Sequence, residues 1–84
     1  MRDYKKKRDE ALESRSATSF LIFLKEYQDE FDEGFLDDFY EGVEEFGGDF
    51  ITYTMAKLAK RNDSVSLDTK IWYEEWVNNW IKEN

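Results

Sequence analysis

Residues 26–49 hold eleven carboxylates and neither Lys nor Arg: Glu26, Asp29, Glu30, Asp32, Glu33, Asp37, Asp38, Glu41, Glu44, Glu45 and Asp49. Aromatic and aliphatic residues are threaded through the same stretch, and the two kinds of side chain need opposite surroundings. Only a periodic backbone can sort them. Phe35, Leu36, Phe39, Tyr40, Val43 and Phe46 recur three and four residues apart, the spacing of one helical stripe. Asp37, Asp38, Glu41, Glu44 and Glu45 take the remaining arc. The block therefore predicts one face of an amphipathic helix plus the turn before it, carrying a strong negative field.

Three more apolar patterns have helical spacing, and none has sustained strand alternation. Proline, the strongest helix breaker, is absent. Phe20, Leu24, Tyr27 and Phe31 follow i, i+4, i+7, i+11, which predicts a helix running through Phe31 with Ser16 or Thr18 as its cap. The run from Phe20 to Leu24 alone would also suit a buried strand; its continuation to Phe31 favours the helix. Gly47-Gly48 is a stop, and Asp49 is placed to cap a third helix built on Ile51, Met55, Leu58 and Ala59. Lys57, Lys60 and Arg61 lie near that helix's C-terminus, where positive charge suits the dipole.

Residues 62–66 read as a loop, with Ser66 capping a last helix that holds Ile71, Trp72, Tyr73, Trp76, Val77, Trp80 and Ile81. The segment before Ser14 offers Tyr4, Ala11 and Leu12 as apolar residues. It fits a short helix, an extension of the first long one, or a segment disordered until bound. The expected fold is all-α: a compact bundle of four short helices, or five if the N-terminal segment is one of them. Residues 1–15 form a basic N-terminal segment and residues 16–84 a single acidic helical domain.

With 84 residues and no cysteine, the chain has no disulfide to hold it, so burial of its 18% aromatic residues is expected to take that role. Lack of cysteine fits a reducing cytoplasm. The longest apolar run, Phe20 to Leu24, falls far short of the roughly 20 residues needed to span a bilayer. Lys5-Lys6-Lys7-Arg8 is not followed by a signal-peptide core. A cytoplasmic protein with no membrane association is expected.

The chain has no His and no Cys, which removes the commonest general base, transition-metal ligand and thiolate nucleophile. No phosphate-binding loop surrounds Gly47-Gly48. Between Asp29 and Asp38, Phe31 and Phe35 stand where a calcium loop needs polar groups. No catalytic residue, no metal site and no cofactor is expected, and the protein is not read as an enzyme.

Binding remains. Like charges three and four residues apart cost a helix stability, and a basic partner would offset that cost. The candidate partner-binding residues are Asp29, Glu30, Asp32, Glu33, Asp37, Asp38, Glu41, Glu44, Glu45 and Asp49. Duplex DNA carries a phosphate per roughly 3.4 Å on each strand, and a carboxylate ridge is a coarse version of that row. The expected partner is a basic nucleic-acid-binding protein, with no direct nucleic-acid contact because the net charge of −8 opposes it. The bland alternative is a solvated face that keeps the chain in solution.

Trp72, Trp76 and Trp80 recur every four residues. They are read first as the centre of the core, and otherwise as a dimer or second interface. In size, acidity and helical character the chain resembles small phage- or mobile-element-encoded inhibitors, including anti-restriction and anti-CRISPR proteins, and helical nuclease-immunity proteins. The resemblance is one of composition, and no family residues are carried over. The second functional expectation is a regulatory module that dimerises through its aromatic C-terminal helix.

Overall fold

Ser16 opens the first long helix: its Oγ accepts the Ser19 amide at 3.2 Å, meeting one of the donors a helix start leaves unpaired. The structure, a computed structural model, describes residues 3–83. Helix α1 spans Tyr4–Glu13, α2 Ala17–Glu26, α3 Glu33–Phe46, α4 Asp49–Arg61 and α5 Leu67–Glu83. A short 3₁₀ turn, Gln28–Glu30, joins α2 to α3. Among the described residues there is no strand, and the fold is an all-α bundle of five helices.

The segment before Ser14 is a helix that shares the common core. Leu12 is fully buried, and the Tyr73 hydroxyl donates to its carbonyl at 2.6 Å. Burial holds the Tyr73 phenol well above its ordinary pKa, so it stays a donor. The Tyr4 ring packs against Phe23, Tyr27 and Phe31 with centroids 5.7, 5.9 and 5.8 Å away. Arg15, at φ 58°, breaks the chain between α1 and α2, so the two helices do not merge.

The helix expected to run through Phe31 ends earlier. Tyr27 caps α2, the 3₁₀ turn follows, and Phe31 is extended at φ −110° and ψ 148°. Gln28, Asp29 and Glu30 have no apolar side chain to bury, and the bend carries Phe31 onto Phe35, with ring centroids 5.0 Å apart. Gly47, at φ 77°, closes α3 as the glycine pair predicts. Asp49 does not cap α4: Gly48 takes the cap position and Asp49 is the first helical residue, where its charge still suits the dipole.

α4 is the hub of the bundle, packing against α1, α2, α3 and α5. It buries Ile51, Thr54, Met55 and Ala59, and the Thr54 hydroxyl donates to the Phe50 carbonyl at 2.9 Å. Gly42 of α3 admits the Phe50 ring into the space a Cβ would fill. Phe20, Leu24, Phe39 and Tyr73 complete the interior, each full burial contributing about 1.5–3 kcal/mol.

The tryptophan stripe is not the centre of this core. α5 packs chiefly on α4 and buries Thr69 and Tyr73, while Trp72, Trp76 and Trp80 are half-buried. With one principal neighbour, α5 cannot cover an apolar arc that wide, and Leu67, Ile71 and Ile81 remain exposed.

Candidate protein-binding surface

α3 turns its apolar residues inward through Phe39 and Gly42, which sets where its carboxylates point. At 100° per residue, Glu33, Asp37, Asp38, Glu41, Glu44 and Glu45 fall within an arc of about 140°, facing away from that apolar side. They cover roughly 18 Å along the axis at about 1.5 Å per residue. All six are exposed. The carboxylates of α3 thus form one continuous face.

The remaining acidic candidates flank α3 along the chain. Asp29 and Glu30 lie in the 3₁₀ turn, Asp32 precedes α3, and Asp49 begins α4 beyond the glycine pair. All four are exposed. The Asp32 side chain makes no capping hydrogen bond, so its carboxylate is directed to solvent rather than to the helix start. Among the described residues, ion pairs form within α1, Lys7–Glu10 at 3.7 Å and Arg8–Asp9 at 3.0 Å, and no ion pair involves an α3 carboxylate.

At the C-terminal end of α3 a chain of rings begins on the apolar side of the helix. Phe46, half-exposed, stacks on Phe50 at 5.8 Å and meets Trp80 edge-on at 6.0 Å. Tyr53 lies 5.6 Å from Phe50 and 5.3 Å from Trp80, and Trp80 stacks on Trp76 at 5.7 Å. Trp72 is elsewhere, beside Tyr73 and 5.5 Å below the Arg15 guanidinium. The structure therefore joins Trp76 and Trp80 to Phe46, on the apolar side of the C-terminal end of α3, and leaves Trp72 away from them. Of this cluster, the sequence pattern gives Phe50 only as the entry residue of the third helix and does not single out Tyr53. Their i, i+3 spacing marks a helix face, but only the packing of three helix ends shows that the face meets Trp80.

Among the described residues no group of three or more His, Cys, Asp or Glu is arranged to hold a metal ion, and no helix is long and apolar enough to cross a membrane. No family model, curated protein or solved structure matches the chain.

Proposed function

We propose that this protein is a small acidic binding protein that occupies the nucleic-acid-binding surface of a basic partner. The observation that carries the reading is the unpaired carboxylate face of α3. Six exposed carboxylates over roughly 18 Å average one per about 3.6 Å of axis, close to the ~3.4 Å phosphate rise on one DNA strand. A basic channel built for phosphates would gain the same counter-charges from this face. The half-exposed Phe46, on the apolar side of α3 at its C-terminal end, and the half-buried Trp80 beside it offer a partner an aromatic contact that charge alone lacks. On this reading the protein is an inhibitor of the phage or mobile-element kind, acting in the cytoplasm on a restriction or CRISPR-type nuclease. It carries out no catalysis and does not itself bind nucleic acid.

The test is competition. Labelled duplex bound to purified nucleases of these classes is followed by anisotropy as the protein is added. Displacement that weakens with salt, and is lost in D37K/E41K/E45K with the helical spectrum retained, supports the reading. Duplex that stays bound at low salt, or an equally potent triple variant, overturns it.

A second reading rests on the exposed Ile81 and Phe46 beside Trp76 and Trp80: an interaction module that dimerises through α5. Sedimentation equilibrium decides it, since a strict monomer at high concentration removes the proposal.

A further inference from the structure

On the other side of α4 the charge pattern reverses. α4 and α5 enclose a cleft of about 500 Å³. Its apolar lining includes Ala56, Leu67, Ile71 and Val77, and Leu67 and Ile71 are 71% and 44% exposed. Lys57, Lys60 and Lys70 line the same cleft. Among the described residues none of these three lysines has a carboxylate within ion-pair distance, although Glu74 lines the cleft four residues on from Lys70. The Lys57 ammonium instead lies 4.8 Å from the Tyr53 ring centroid. In a chain of net charge −8, three uncompensated lysines around exposed aliphatic residues form a local exception.

The shape of the cleft selects among occupants. Leu67, Lys70, Ile71, Glu74, Val77 and Asn78 all face it, following helical spacing along α5 for about 16 Å, or three turns. A helix laid in a groove presents apolar anchors at i, i+3, i+4 and i+7 and places its flanks against the rim. Here the rim is cationic, so the matching flanks are acidic. A second copy of this chain is a poor occupant, because its acidic helix α3 already commits its apolar side to its own core through Phe39. A flat anionic lipid surface would leave a concave cleft unfilled.

We propose that the α4–α5 cleft receives a three-turn amphipathic helix of a partner protein, with an aliphatic stripe in the cleft and Asp or Glu on its flanks beside Lys57, Lys60 and Lys70. The cleft shares no residue with the carboxylate face of α3 and has the opposite sign, so one molecule can bridge a basic partner and an acidic one.

The probe is a fluorescein-labelled synthetic helix with Leu at i, i+3, i+4 and i+7 and Glu on both flanks. Its isomer with Lys for every Glu is the control. The acidic peptide should bind the full chain, and the Lys isomer should not. K57E/K60E/K70E, and separately L67S/I71S, should each weaken the acidic peptide by about tenfold or more. Lys57, Lys60, Leu67 and Ile71 are exposed and Lys70 is half-buried, and an unchanged melting temperature shows that the variants fold. D37K/E41K/E45K should bind the peptide like the wild type, and L67S/I71S should still displace duplex as the wild type does, so each surface can fail without the other. Equal binding of both peptides, no binding of either, or no effect of the lysine reversal overturns the proposal. So does self-association that the lysine reversal abolishes, or recruitment to phosphatidylserine vesicles that it abolishes, because each assigns the cleft to another occupant.

Discussion

The carboxylates of α1 and those of α3 are the same chemical groups in helices of similar length, and they have different roles. Asp9 is held by Arg8 at 3.0 Å and accepts the Ser64 hydroxyl. Glu13 accepts the Ser66 amide at 3.0 Å and its hydroxyl at 2.9 Å, tying α1 to the start of α5. In α3, the six carboxylates from Glu33 to Glu45 make no ion pair among the described residues. The difference teaches that charge density says little about role. A carboxylate that closes a loop is part of the fold, and one that faces water beside like charges is available to something outside it.

This contrast can be attacked first from behind α3. Phe39→Ala removes the ring, 2% exposed, that fixes which side of α3 faces out. It should cost about 3–5 kcal/mol, read by urea denaturation. A loss under about 1 kcal/mol would mean that the core does not set the direction of the acidic face.

Glu13→Ala should cost about 1 kcal/mol, since it leaves the first turn of α5 short of an acceptor at an exposed site. A hydrogen bond with the Thr69 side chain, and then those from Ser66, hold the Glu13 pKa below the ordinary glutamate value of 4.5. A depressed folded-state pKa stabilises at pH above the unfolded value, and that stability is lost as pH falls through the folded value. The gap between wild type and Glu13→Ala should therefore be full at neutral pH and should close as the pH falls below the ordinary glutamate value of 4.5. A gap that stays constant with pH would place Glu13 with the α3 carboxylates as a group outside the fold.

The smallest effect has the opposite sign. D37N/E41Q/E45Q relieves three like-charge i, i+4 contacts, Glu33–Asp37, Asp37–Glu41 and Glu41–Glu45, and should stabilise the protein by about 0.5 kcal/mol at low salt, with the gain shrinking as salt rises. Destabilisation would show that the α3 carboxylates, like those of α1, carry structural bonds.

Most helix ends were legible from local rules, with Asp49 the exception, since Gly48 takes the cap position of α4. Ser16 and Ser66 cap as their positions suggest, each accepting the amide three residues on. Gly47 ends α3, and Phe39 lies on the buried stripe while Glu41 and Glu45 lie off it. Phe31 misled because i, i+11 spacing is satisfied equally by a continuous helix and by a bend that returns the ring to Tyr4 and Phe23. The tryptophans misled because a wide apolar arc states how much surface needs cover and not how many neighbours provide it.

The sequence by itself determined the helical class, the caps at Ser16 and Ser66, the stop at Gly47, and the separation of charge from apolar surface along α3. These follow from periodicities and end effects that act within one or two turns. Only the tertiary structure decided that α4 is the hub, that Trp80 reaches Phe46, and that Lys57, Lys60 and Lys70 border one cleft. Each of these joins residues on different helices, and their proximity depends on which helix faces are packed together, which no local spacing specifies.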